Sequence, residues 1–402
     1  MASSDTDTEP QHNVVDFSDT RIAFAHKNNH ELKRTALLFR FMNKPWFVQA
    51  GSAIGLWLNE SGIHIFNPII KLTIYKQFCG GTSLSDCREA IDHLQENNTL
   101  TILDYGAESK TKDEEFDQTL EENIKAIGFA ATNAGVPVIS TKVTALAQNE
   151  LLEKYQLGQS FDGHEKIAFE KVRARLDLLC KAAEENGVAV FIDAEETWIQ
   201  DTIDQLVKSL MAKYNQQRVI VYHTYQMYRK DKLQDLKDDH QEAKSKGFLL
   251  GAKVVRGAYM EKERKRAAEK GYPSPIQDSK ADTDRDFNEA IRYCVDHYKE
   301  IASCNASHNV ESNQIQADLI ATNNLPRNHA HLNFCQLYGM SDNITFNLAA
   351  SGYNVAKYVP YGPVKEVVPY LIRRARENTA VTGEMSRELS FIVTEMKRRG
   401  MK

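Results

Sequence analysis

The chain is poor in several features, and each scarcity excludes a class of protein. Cysteine is sparse: six thiols, Cys79, Cys87, Cys180, Cys294, Cys304 and Cys335, are scattered over 402 residues with no C-x-x-C pair. That distribution argues against a disulfide frame or a zinc site and for reduced thiols in a reducing compartment. Excess positive charge is also missing, since 50 Lys and Arg face 55 Asp and Glu. No electrostatic footprint for nucleic acid follows. The most apolar uncharged stretch, Trp46 to Leu58, falls far short of the roughly 20 residues that cross a bilayer, so only peripheral membrane contact is left open. The opening MASSDTDTEPQHN has neither a basic n-region nor an apolar h-region, and residues 1–18 read as a solvated acidic tail and not as a secretory or transit peptide. Both glycine-rich phosphate signatures, G-x-G-x-x-G after the first strand and G-x-x-x-x-G-K-[ST], are absent, which counts against an open dinucleotide-binding sheet.

What is present is the mix of a globular protein, 42% apolar and 26% charged residues. From Leu100 onward, short Val- and Ile-rich runs alternate with longer charged segments of helical period, the pattern of repeated βα units. Eight such runs are predicted as strands: LTILDYG, PVISTKV, VAVFIDA, VIVYHTY, LLGAKVV, ASCNASH, LNFCQLY and VAKYVPY. They recur about every 36 residues, close to the length of one strand and its crossover helix. Eight units favour closure, so the predicted fold is an α/β (βα)8 TIM-type barrel over residues 99–402. Before it, ELKRTALLFRFMN and SDCREAIDHLQEN have helical period, and residues 19–98 read as an N-terminal helical arm. The charged segment KDKLQDLKDDHQEAKSKG reads as a solvated crossover helix, and the closing EMKRRGMK as a solvated basic tail or an accessory membrane contact.

In a βα barrel the chemistry sits where the strands end. Here PVIST runs into Lys142, VAVFI into Asp193, VIVY into His223, LLGA into Lys253 and Arg256, ASCNAS into His308 and Asn309, and the eighth run carries Tyr358. Charged groups in apolar strands are costly unless paired or hydrated, and a polar pocket at the barrel mouth explains their repetition. A plainer reading has Lys142 and Asp193 as a structural ion pair and the histidines as satisfied core residues. After the last strand, Tyr370, Arg373, Arg374 and Glu377 are spaced i, i+3, i+4, i+7 and share one helix face. Two adjacent guanidiniums can grip one carboxylate with forked hydrogen bonds; a solvated basic face is the alternative.

The stretches GAKVVRGAYMEKER, ASHN, FCQLYGM and KYVPYGPVKEVVPYLIRRARENT resemble the proline dehydrogenase family, as ordered motifs from about Leu100 to Thr379. The resemblance implies an FAD-dependent barrel that oxidises L-proline to Δ1-pyrroline-5-carboxylate, the first step of proline catabolism, and passes electrons to a membrane quinone. It implies that Arg373 and Arg374 bind the proline carboxylate with Lys142 as a third cation, and that Asp193 lies close to the substrate. Leu337, Tyr358, Tyr370 and Tyr259 would wall the pyrrolidine ring. Lys253, Arg256, Gly257 and Ala258 would line the isoalloxazine and ribityl region. Thr283, Ser307, His308 and Asn309 would serve the ribityl-phosphate and adenosine parts, Glu377 would anchor the arginine helix, and His223 and Gln336 would face the flavin ring.

Many bifunctional members have Arg where Lys253 stands and Gln where His223 stands, so the likeness is to the monofunctional, eukaryotic-like branch. The implied location is the cytoplasm or the inner face of the cytoplasmic membrane, or the mitochondrial inner membrane in a eukaryote. A bulky phenol at Tyr358 favours proline over hydroxyproline. Two competing readings are a class I aldolase-like barrel with a Schiff base on Lys142 or Lys253, and a non-enzymatic scaffold.

Overall fold

Each of the eight Val- and Ile-rich runs forms a strand in the computed structural model. They are β1 Leu100–Tyr105, β2 Val138–Lys142, β3 Ala189–Asp193, β4 Val221–Gln226, β5 Leu250–Val255, β6 Ile301–Ala306, β7 Leu332–Leu337 and β8 Asn354–Tyr361. Residues 14–44, 71–106, 110–380 and 384–401 are described, except for the side chains of 71, 72, 373–380, 384 and 385. The strands pair in parallel in chain order, and β8 closes on β1 with Leu100 beside Ala356 and Tyr105 beside Tyr361. The fold is a TIM-type (βα)8 barrel.

Strand period two divides each run between two cores. Ile102, Phe191, Tyr222, Ala302, Cys304, Cys335, Ala356 and Tyr358 form a buried cluster inside the barrel. Their neighbours Leu103, Ile139, Val190, Ile192, Val221, Ala252 and Val254 join a larger core between the sheet and its helices. β5 passes β4 so closely that a Cβ on Gly251 would lie 2.3 Å from the Val221 carbonyl oxygen and 2.9 Å from the Tyr222 Cα. Backbone cannot give way cheaply there. Gly251→Ala is therefore expected to cost about 1–3 kcal/mol, the usual penalty of overpacking, read as a lower midpoint in urea; an unchanged midpoint would contradict this packing.

Local signals set the helix ends. The helix Gly163–Asn186 starts at a reciprocal capping box between Asp162 and Glu165 and stops at Gly187, whose φ of 71° is left-handed. The charged segment after β4 forms the helix Lys232–Lys246, ended by Gly247, but it is only partly solvated. It buries Leu236, His240 and Ala243, and its Lys232 donates to Asp204 at 2.6 Å.

Two helices of the N-terminal segment, Asn29–Met42 and Arg88–Glu96, occupy the predicted places. Leu32, Ala36, Phe39 and Met42 pack with Tyr370, Leu371, Ile392 and Met396 from the two helices that follow β8. A buried ion cluster ties this segment to the barrel: Asp342 accepts from Lys27 at 2.6 Å and pairs with Lys357 of β8 at 3.0 Å. The basic C-terminus is not merely solvated as expected, since Arg399 donates to the carbonyls of Phe24 and Lys27, each at 2.7 Å. Residues 1–13 and the Trp46–Leu58 stretch lie outside the described residues. Among the described residues no helix is long and apolar enough to cross a membrane.

Candidate active site at the barrel mouth

β2 and β3 run in register so that Lys142 stands beside Asp193, both at the last strand position. Asp193 is the hub. Its Oδ1 accepts from Lys253 Nζ at 2.6 Å and from Ser140 Oγ at 3.1 Å. Its Oδ2 accepts from the Tyr358 hydroxyl at 3.0 Å and lies 3.8 Å from Lys142 Nζ. Burial alone would raise the Asp193 carboxyl, but the charges of Lys253 and Lys142 and the bonds from Lys253 and Tyr358 outweigh it and hold the group below its ordinary range. The Lys253 ammonium also sits 4.9 Å from the Tyr358 ring centroid, a cation–π distance. Burial, with Asp104 and Asp193 adding to it, pushes the Tyr358 phenol well up, so it stays a neutral donor. Leu337 stands beside Tyr358 in the sheet register. Tyr370 is buried on the helix Val364–Ala380, and Tyr259 is half-buried at the start of the helix Met260–Lys270.

On the β5–β6 side, Arg256 fans out to three partners: Asp284 at 2.7 Å, Ser307 Oγ at 2.6 Å and Ser312 Oγ at 2.9 Å. Thr283 is buried in the first turn of the helix Lys280–Asp296, next to Asp284. Gly257 has φ 135° and a Cβ there would fall 2.4 Å from the Tyr228 ring, which gives that glycine a structural reason of its own. The Ala258 N–H faces Gln226 Oε1 at 3.4 Å. Asn309 caps the helix Val310–Thr322, leaving that helix's amino end beside Ser307 and His308. Arg387 donates to the His308 carbonyl at 2.8 Å, while its buried Nε has no hydrogen-bond partner among the described residues. A lysine, two arginines, serine hydroxyls and a helix amino end make a donor-rich set suited to an anionic, acceptor-rich cofactor such as FAD.

Two expected positions are corrected. The His223 ring turns away from the barrel interior toward the helix Thr197–Tyr214, with Nε2 3.0 Å from Asp204 Oδ1. β4 continues past it to Gln226, and the inward positions of β4 are Tyr222, Thr224 and Gln226. Gln336 likewise points outward, donating to the Ser307 carbonyl at 3.1 Å and accepting from Thr345 at 2.9 Å. The backbone is helical from Val364 to Ala380, so the predicted one-face spacing stands, but the side chains of Arg373, Arg374 and Glu377 lie outside the described residues.

Sequence reading missed several polar groups of the mouth. Ser140 lies two residues before Lys142, so strand period could have found it. Gln226, whose Nε2 donates to the Glu195 carbonyl at 2.8 Å, was hidden by ending the fourth run too early. Glu195, just past β3, accepts from the Thr144 N–H at 3.0 Å and from its hydroxyl. Burial pushes its carboxyl up to about 7, and Glu196 adds to this against the Thr144 bonds and Lys142. The folded chain thus keeps a proton that the unfolded chain, with a carboxyl near 4.5, has lost. The stabilising contribution is complete below pH 4.5 and is lost as pH rises to about 7. Relative to Glu195→Gln, the wild type should lose up to about 1.4 kcal/mol per pH unit across that window. Urea unfolding of both proteins at about pH 5 and about pH 8 measures this; a stability difference that does not move with pH would contradict it.

An eight-stranded parallel barrel with a buried carboxylate held between two lysines at its strand ends is the architecture of a barrel enzyme. The profile of the proline dehydrogenase family matches residues 87–387. Proline dehydrogenase 1, mitochondrial, of Dictyostelium discoideum is 32% identical over 377 residues, covering 83% of this chain and 66% of that protein. Hydroxyproline dehydrogenase of Xenopus laevis is 30% identical over 424 residues, covering 96% of this chain and 90% of that one. Among solved structures, proline utilization A of Bdellovibrio bacteriovorus superposes with a TM-score of 0.71 at 22% identity, over 92% of this chain and 40% of that one, a likeness of fold. The chain belongs to the proline dehydrogenase family.

Proposed function

We propose that the protein oxidises L-proline to Δ1-pyrroline-5-carboxylate, using FAD as the hydride acceptor and a membrane quinone as the final electron acceptor. The observation that carries the reading is the buried Asp193 cage, in which Lys253, Lys142, Ser140 and Tyr358 converge on one carboxylate at the barrel mouth. FAD and the quinone rest on the family motifs, and the donor-rich β5–β6 side supports the first of them. FAD supplies a two-electron acceptor that no side chain can replace.

The protein's part is positioning and charge control. Arg373 and Arg374, with Lys142, bind the substrate carboxylate. Leu337, Tyr358, Tyr370 and Tyr259 wall the ring, and Asp193 keeps the Tyr358 phenol in place through its 3.0 Å hydrogen bond. Substrate arrives as an ammonium, and hydride can leave only from the neutral amine. Desolvation within a cage that already holds the Lys142 and Lys253 ammoniums favours loss of that proton from the substrate nitrogen. Lys253, Arg256, Gly257 and Ala258 would hold the ring and ribityl region of the cofactor, and Thr283, Ser307, His308 and Asn309 would hold its phosphate and adenosine parts. Glu377 anchors the arginine helix. Of the two lysines of the aldolase reading, Lys253 is disfavoured because its amine is committed to Asp193.

The test is an absorption spectrum of the purified chain followed by a dye-coupled proline assay. A flavin spectrum and proline-dependent dye reduction are expected, with trans-4-hydroxyproline a poorer substrate because the fixed Tyr358 phenol crowds the ring. A colourless protein whose lysine is trapped by borohydride on a carbonyl substrate would overturn the reading.

A further inference from the structure

The C-terminal helix Glu384–Arg398 grips the Ser307–Asn309 turn at two points. Arg387 holds the His308 backbone carbonyl at 2.8 Å. The next residue, Glu388, reaches the His308 ring through one intermediary, the fully buried Ser341. Ser341 is left-handed, with φ 51°. Its N–H and its hydroxyl lie 2.9 and 3.0 Å from the same Glu388 oxygen, Oε1. That hydroxyl is also 2.8 Å from His308 Nδ1.

Proton counting settles the direction of this chain. A backbone N–H only donates, so Oε1 accepts from it, and with Glu388 ionised, as at about pH 8, Oε1 has no proton to give to Ser341. The Ser341 hydroxyl has one proton. Given to His308 Nδ1, it would leave the hydroxyl oxygen facing Oε1 with no hydrogen between two buried acceptors. Given to Oε1, it satisfies both groups and requires Nδ1 to donate.

We infer that Glu388, acting through Ser341, is a positioning residue that fixes His308 as the Nδ1–H tautomer, so that the neutral ring presents Nε2 as a hydrogen-bond acceptor. This rests on the reading of His308 as a cofactor-side residue, and it narrows that reading. An acceptor nitrogen suits a hydroxyl or an N–H of the cofactor and opposes direct contact with a phosphate oxygen. The C-terminal helix, which lies beyond the last barrel strand, thereby becomes part of the site's machinery.

Long-range proton–nitrogen NMR of the histidine rings in the 15N-labelled full chain tests this at about pH 8, where an ordinary imidazole is neutral. His308 is assigned by the signals missing in His308→Asn. Wild type and Glu388→Gln, whose amide oxygen can replace Oε1, should both show Nδ1 protonated. Ser341→Ala and Glu388→Leu should lose that pattern, with the proton moving to Nε2. Nε2–H in the wild type or in Glu388→Gln, or an unchanged pattern in Ser341→Ala or Glu388→Leu, would overturn the inference. Proline oxidation by the wild type is measured separately, so failure of the tautomer assignment and failure of the proposed activity are distinguishable.

Discussion

Asp193→Ala is expected to abolish proline oxidation and to cost the fold about 3–5 kcal/mol, because removing one member of a buried ion cluster leaves its partners uncompensated. Lys253 loses its 2.6 Å acceptor, Lys142 its nearby countercharge, and the Tyr358 and Ser140 hydroxyls an acceptor each. Asp193→Asn separates the two contributions. The amide oxygen preserves an acceptor for one face of the cage but supplies no charge, so its stability loss should be smaller while proline turnover remains poor. Urea unfolding and the dye-coupled assay on both variants measure these effects. An alanine variant as stable and as active as wild type would remove Asp193 from the centre of the site.

Arg373→Met should raise the KM for proline by about tenfold or more while the flavin is retained, since one charge-assisted contact to a carboxylate contributes roughly 1.5–3 kcal/mol. The helical backbone from Val364 to Ala380 keeps residues 370, 373, 374 and 377 on one face. An unchanged KM would contradict carboxylate recognition by that face. Loss of flavin from the variant would place Arg373 on the cofactor instead.

The barrel was legible because strands of a parallel sheet are buried on both faces and read as continuous Val- and Ile-rich runs. Lys142, Asp193 and Tyr358 stood out for the same reason, as costly polar groups in apolar surroundings. His223 and Gln336 show where this reasoning fails. Side chains alternate across a strand, so an error of one residue in judging which positions point inward reverses the face. The run VIVYHTY reads as if its strand ended at VIVY with His223 as the polar group at the mouth, whereas β4 extends to Gln226 and turns that histidine toward Asp204. The Glu388–Ser341–His308 chain was out of reach for another reason. Glu388 lies 47 residues from Ser341, and nothing in a glutamate on an amphipathic helix marks which distant N–H it will meet. The closing basic segment misled similarly: composition shows four basic charges near the end of the chain, but not that Arg399 spends its guanidinium on the Phe24 and Lys27 carbonyls.

Diffraction from crystals soaked with a cyclic carboxylate that cannot be oxidised tests the central claim most directly. The account predicts the ligand at the barrel mouth, its carboxylate between Lys142 and the guanidiniums of residues 373 and 374, and its ring against Tyr358 and Leu337. Guanidiniums turned into bulk water, with the ligand bound elsewhere or disordered, would contradict it.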